Sequence, residues 1–202
     1  MQIAQRITVC AAERRPALRA YAAGEEGRGE VEAFIARVYA ARYGARVTHF
    51  APCLVAVHGA EGIEAAAGYR SGEEVLFLER YLDAPVERLL APHAGVAPRR
   101  EQIVEVGHLA AVRAGAGRRL ILGLGHHLVR GPHQWVVSTL TEELRHLFVR
   151  MGVTPLALGV ADPVRLGGEA RAWGSYYEHH PVVLAGHLPL AMRRLAACGS
   201  EA

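Results

Sequence analysis

Residues 103–152 read as strand, glycine-rich turn, helix, strand and helix, with almost nothing left over between them. That alternation commits the chain to helices layered on a sheet. Residues 103–112 carry the β-branched and apolar side chains of a half-buried strand, and Arg113-Ala114-Gly115-Ala116-Gly117 turns directly after it. Residues 118–130 place Leu120, Ile121, Leu124 and Leu128 at helical spacing before Gly131-Pro132 ends the run. A second strand over 134–140 leads into a helix over 141–152, which opens on Thr141 in a capping-box-like position and closes on Gly152.

The first of these helices starts on glycines. The N–H groups of a first helical turn have no intrahelical partner, and the positive end of the macrodipole lies behind them. Such a junction suits phosphate or pyrophosphate, and glycine lets the anion approach the backbone closely. The frame Val112-Arg113-Ala114-Gly115-Ala116-Gly117 resembles the turn on which Gcn5-related N-acetyltransferases cradle coenzyme A, written Gln/Arg-x-x-Gly-x-Gly/Ala. Val112 stands in place of the Gln or Arg. Phe148 stands four residues before Gly152, where those enzymes often have a tyrosine that protonates the leaving thiolate, and a phenyl ring cannot donate a proton.

A second resemblance covers about residues 30–190. Phe34-Ile35 with Tyr39, Tyr43-Gly44-Ala45, Phe50 to Leu54, Gly68-Tyr69-Arg70, Leu76 to Asp83, Glu105-Val106-Gly107, Trp135-Val136-Val137, Ala161-Asp162-Pro163 and Trp173 to Glu178 together resemble the bacterial thermostable hemolysin family. His108 occupies a position where that family is expected to carry Asn. The family in turn resembles the homoserine-lactone autoinducer synthases, through Gly68-Tyr69-Arg70 and the strand containing Glu105. Those synthases have Arg where His108 stands, so the resemblance implies their fold and acyl chemistry but not S-adenosylmethionine. It implies an α/β, acyl-CoA N-acyltransferase-like fold: a mixed, twisted central sheet flanked by helices, in one domain over residues 1–202. No tightly bound cofactor is expected. Acyl-CoA or acyl-phosphopantetheine on acyl carrier protein would be the co-substrate, and a small amine the acceptor.

On that fold, Val112, Arg113, Gly115, Gly117, Arg118 and Arg119 are the expected donor-binding residues, with backbone groups near Val112 polarising the thioester carbonyl. Glu105 is the first candidate base. A carboxylate partly desolvated on a central strand can take a proton from an ammonium group, or it can simply pair with Arg70 across the sheet. Glu79, between apolar neighbours, is the second candidate base, or else a solvated strand end. Tyr176 or Tyr177 is the candidate acid, although adjacent tyrosines on a strand would point to opposite faces. Arg70, His108, Trp173 and Ser175 are candidate acceptor-binding residues. Ser175 lies in no Gly-x-Ser-x-Gly elbow, which disfavours a serine hydrolase. His126-His127, His133 and His179-His180 form no metal-ligand spacing.

Composition sets the remaining bounds. All 23 basic residues are arginine, and a net charge of +3 without a basic helix or zinc-finger spacing gives no reason to expect nucleic acid. Cys10, Cys53 and Cys198 are odd in number and scattered, as reduced thiols in the cytoplasm would be. Residues 1–9 alternate like an edge strand rather than a secretory signal, residues 22–30 read as a loop, and residues 91–100 as a second. No apolar run reaches spanning length. A membrane-active or lipid-binding protein, and an acyltransferase fold without catalysis, are the competing readings.

Overall fold

The computed structural model describes residues 18–113 and 115–198. The predicted edge strand over 1–9 lies outside them, as does Cys10, and the Cys198 side chain is not described. The described chain begins with β1 (Leu18–Tyr21) and α1 (Arg28–Tyr43), followed by a hairpin of β2 (Cys53–Gly59) and β3 (Gly62–Ser71). A 3-10 turn (Phe77–Tyr81) and α2 (Val86–Ala94) lead to β4 (Ile103–Ala111), α3 (Ala116–Leu128), β5 (Trp135–Leu140) and α4 (Glu142–Arg150). Then come β6 (Leu156–Val160), 3-10 turns over Pro163–Trp173 and Tyr176–His179, β7 (Val182–His187) and α5 (Leu188–Cys198).

The strands form one sheet in the order β1-β2-β3-β4-β5-β7-β6, and among the described residues only β4 and β5 pair in parallel. Parallel neighbours need a crossover, which α3 supplies. Strand alternation divides the core into faces. Leu54, Ala56 and Ala66 pack under Val31, Phe34, Ile35 and Tyr39 of α1, while Val55, Val57, Ala65, Val104 and Val106 pack against Leu120, Leu124 and Leu128 of α3. Each fully buried leucine of α3 is worth roughly 1.5–3 kcal/mol. Further along the sheet, Ile103, Val137 and Val183 carry the layer made by Leu78, Tyr81, Val86 and Leu90. On the opposite face, Leu147 and Phe148 of α4 meet Ile121 of α3 and Leu195 of α5.

Several expectations need correction. Thr141 does precede α4, but its side chain makes no capping bond, and its buried Oγ1 has no hydrogen-bond partner among the described residues. Residues 76–83 form no strand end but the 3-10 turn, and Tyr176 and Tyr177 lie on another, so strand alternation does not govern where they point. Gly174 explains the second turn. At φ 56°, a Cβ there would stand 1.9 Å from the Tyr43 carbonyl oxygen, the same atom that accepts the Ser175 N–H at 2.8 Å. Glycine thus lets residues 173–179 dock on the C-terminal end of α1.

Candidate active site

The parallel ladder between β4 and β5 is short. Ile103, Val104 and Glu105 pair with Trp135, Val136 and Val137, and pairing stops there although both strands continue. One further link is the Ser138 hydroxyl, which donates to the Val106 carbonyl at 2.6 Å. Beyond it the β5-facing edge of β4 has no strand opposite among the described residues, and cavities open on either face of the gap with Val106 lining both.

The cavity on the α3 side is apolar and about 100 Å³ in volume. Leu109, Ile121, Leu124, Leu140, Phe148 and Met192 contribute to its wall, and the one hydroxyl there, Ser138, is already engaged. Met192 rests on Gly125, where a Cβ would come within 2.4 Å of its sulfur. Phe148, in the position of the expected acid, is therefore part of an apolar wall.

The cavity on the opposite face holds about 980 Å³, at the upper end of the range usual for small-molecule sites. The structure brings Glu105, Arg70, His108, Trp173 and Tyr176 together on its wall. The Glu105 carboxylate uses both oxygens at the start of the 77–81 turn: Oε2 accepts the Phe77 N–H at 2.8 Å and Oε1 the Leu78 N–H at 3.0 Å. Arg70 Nε lies 3.5 Å from Oε2, as the cross-strand register of these residues requires. Burial raises the Glu105 pKa above the ordinary carboxylate range, more than the backbone N–H bonds and the Arg70 charge lower it. The residue is thus both a strut and a carboxylate more basic than usual.

His108 reaches this cavity because β4 carries a bulge. Gly107 pairs with Gly68 and Ala110 with Ala66, so His108 and Leu109 together oppose Ala67. With His108 at φ 53°, the strand shifts phase: its ring faces Tyr39 and Phe50, while Leu109 turns to the apolar cavity. Gly68 makes room for the ring, since a Cβ there would lie 3.1 Å from His108 Nδ1 and 2.8 Å from Ala51 Cβ. Desolvation, and then the Arg70 charge, lower the His108 pKa to about 4 against a weaker opposing hydrogen bond to the His49 backbone, which leaves the imidazole neutral near pH 7. Nδ1 is fully covered and has no hydrogen-bond partner among the described residues, and the same holds for Oγ1 of Thr139, a residue that also lines the cavity.

An aromatic wall completes the site. Tyr176 stacks on Tyr39 with ring centres 6.4 Å apart, Trp173 lies 5.4 Å from Tyr176, and Phe77 lies 6.0 Å from Trp173. The Tyr176 hydroxyl donates to the Thr139 carbonyl at 3.4 Å, and burial pushes its pKa well above the usual phenol value.

Other predicted residues are placed elsewhere. Glu79 does not line the cavity: it accepts the Val86 N–H at 3.0 Å and binds Arg100 at 2.5 Å, fastening α2 to the chain before β4. Tyr177 turns its hydroxyl to that of Tyr81 at 2.7 Å, and Ser175 Oγ donates to the Tyr43 carbonyl at 3.3 Å. Val112 is exposed beyond β4, and its N–H is taken by the Glu64 carbonyl at 3.1 Å, so it cannot polarise a thioester. Gly115, at φ 79°, occupies the N-cap of α3. Arg113 pairs with Glu61 and Arg119 with Glu64, while Arg118 has no acidic partner among the described residues. A Cβ on Gly117 would meet Ala111 and Leu147 no closer than 3.8 Å, an ordinary contact. Thr139, Arg46 and Arg171 also line the large cavity, and no motif in the sequence singles them out. Among the described residues, no group of three or more His, Cys, Asp or Glu is placed to hold a metal ion, and no helix is long and apolar enough to cross a membrane.

Solved structures share this architecture. The acyl-homoserine lactone synthase LasI superposes with a TM-score of 0.60 at 14% identity, over 87% of this chain and 93% of its own. TofI in an apo form gives 0.59 at 16% identity, over 87% and 95%. FeeM, an N-acyl amino acid synthase from uncultured soil microbes, gives 0.57 at 13% identity, over 87% and 98%. At these identities the likeness establishes the acyl-CoA N-acyltransferase-like fold. No curated protein matches the sequence. The model of the thermostable hemolysin family matches residues 21–192, which takes in every strand from β2 to β7, and the chain belongs to that family.

Proposed function

We propose that this protein transfers an acyl group from an acyl thioester, carried by coenzyme A or by acyl carrier protein, to the nitrogen of a small amine in the cytoplasm. The observation that carries this reading is the gap beyond Glu105 and Val137, with an apolar cavity on one face and a polar, aromatic one on the other. The thioester arm would run from the N-terminus of α3 into the gap. Its acyl chain would lie among Leu109, Leu124, Phe148 and Met192, and its carbonyl would face the strandless edge of β4 at the 107–109 bulge rather than Val112.

The amine would enter from the Glu105 side. Its nitrogen attacks the carbonyl carbon, the C–N bond forms, the C–S bond breaks, and the proton lost by nitrogen passes to Glu105 directly or through water. Thiols have a pKa near 8.5, so the sulfur can depart as a thiolate and take its proton from solvent. That removes the need for a tyrosine acid at Phe148 and leaves Tyr176 as a wall residue. The solved synthases named above act, by their own descriptions, in acyl-homoserine lactone or N-acyl amino acid synthesis, which is the same class of reaction. Calorimetry with acyl-CoAs of graded length and with acylated carrier protein tests the donor half. Failure of every donor to bind folded protein would refute the proposal in favour of a noncatalytic domain.

A further inference from the structure

The charges around the larger cavity do not balance. Of the four arginines on its wall, Arg70 pairs with Glu105 and Arg80 makes a two-point contact with Glu169 at 2.8 and 3.0 Å. Arg46 and Arg171 have no acidic partner among the described residues. The two are held together, since the Arg46 N–H donates to the Ala172 carbonyl at 2.7 Å. Deeper in, Arg70 and Glu105 present opposite charges side by side, with Arg70 Nη2 uncommitted among the described residues.

We propose that this cavity binds an α-amino acid, so that the acyl acceptor is an amine carrying a carboxylate on the adjacent carbon. This rests on the acyl-transfer reading and narrows its acceptor. An ammonium and a carboxylate attached to one carbon match a carboxylate and a guanidinium attached to neighbouring strands. The ammonium meets Glu105, which takes one proton before attack and passes it to water, freeing the nitrogen lone pair; the second proton, lost as the amide forms, leaves by the same route while the departing thiolate is protonated from solvent. The carboxylate meets Arg70 and the excess positive charge of Arg46 and Arg171, a guanidinium arrangement suited to planar two-point recognition. The aromatic wall of Tyr39, Trp173 and Tyr176 takes the side chain. A polyamine or other polycation fits poorly, because it would bring positive charge past two unpaired arginines.

Calorimetry of the full chain with the common L-α-amino acids, their primary amides and spermidine, with and without CoA, tests this. At least one amino acid should bind, its amide at least tenfold more weakly, and spermidine not at all. The double variant Arg46→Gln with Arg171→Gln changes exposed side chains, so it should fold normally, keep its CoA affinity and lose at least tenfold in amino-acid affinity. Amides binding as tightly as acids would overturn the inference. So would amino-acid binding indifferent to the double variant, tighter binding of spermidine, or no amino acid binding at all. Loss of CoA and carrier-protein binding would strike the acyl-transfer reading instead, because the acid-to-amide comparison needs no donor.

Discussion

Replacing Glu105 by Gln separates chemistry from architecture. Both carboxylate oxygens accept backbone N–H groups, at 2.8 Å from Phe77 and 3.0 Å from Leu78. A glutamine amide offers one oxygen, so its NH₂ group must face one of these donors. The variant loses one hydrogen bond to a charged acceptor, roughly 1.5–3 kcal/mol, and leaves a poorly satisfied N–H in a buried turn. Arg70 also loses its partner. Against this, the buried negative charge is gone, and desolvation is the largest influence on this group. The net cost should be about 2 kcal/mol, or a melting temperature lower by about 4–8 °C at this chain length. Such a loss leaves an ordinary domain mostly folded at 25 °C. The acyl-transfer rate should nevertheless fall about 100-fold, with little change in donor affinity. Circular dichroism melts and thiol release on the same preparation measure both. Wild-type turnover per folded molecule beside a lowered melting temperature would refute the base and leave Glu105 as a strut.

The raised Glu105 pKa predicts that kcat/KM rises with pH through a limb above the ordinary glutamate value of 4.5, and that Glu105→Gln removes this limb. Its contribution to stability has the opposite sign: the folded state holds the proton longer than the unfolded chain, so stability falls as pH rises through that window. For His108, with a folded pKa of about 4, the unfolded chain takes up the proton first, so stability drops as pH falls from about 6.5 to 4, by about 3 kcal/mol at most; His108→Asn should flatten that part of the melting profile. Gly117→Ala should fold normally and weaken CoA binding only modestly, whereas Gly117→Val should abolish it in calorimetry while the far-ultraviolet spectrum is retained. Protein without donor should leave dye-loaded vesicles intact, and prompt dose-dependent leakage would favour direct lysis over acyl transfer.

What the sequence reveals and hides follows from periodicity. Residues 103–152 could be parsed because each element there obeys a single period, and the turn at Gly115 announces itself by glycine. The bulge could not be foreseen. Strict alternation from Glu105 would send His108 to the α3 face, and one inserted residue reverses this, bringing it beside Glu105 and Arg70. The 3-10 turns were hidden for a related reason. Runs such as Phe77-Leu78-Glu79-Arg80-Tyr81 are too short for a helical period to declare itself, so the capping of Val86 by Glu79 was not visible. Arg46 and Arg171 belong to no motif; only the docking of residues 173–179 on α1 brings their chain segments together.

The ion pairs around the α3 turn bear on whether that turn is open to a donor. Arg113 and Arg119 are held by Glu61 and Glu64 from the β2–β3 hairpin, an arrangement that on geometry alone resembles a blocked anion site. Magnitude decides otherwise. Exposed pairs of this kind contribute about 0–1 kcal/mol, because water screens them and two long side chains must be ordered to make them. A pyrophosphate would bring more charge and would meet first-turn N–H groups of α3, whereas Glu61 and Glu64 reach only the Arg113 and Arg119 side chains. With Arg118 free of an acidic partner among the described residues, a phosphate would be able to dock before either arginine is released, and exchange of carboxylate for phosphate would then complete the cradle. Donor affinity should accordingly increase modestly, rather than collapse, when Glu61 is replaced by Gln. A large loss of CoA binding on Glu61→Gln would mean that the hairpin pair builds the turn instead of competing for it.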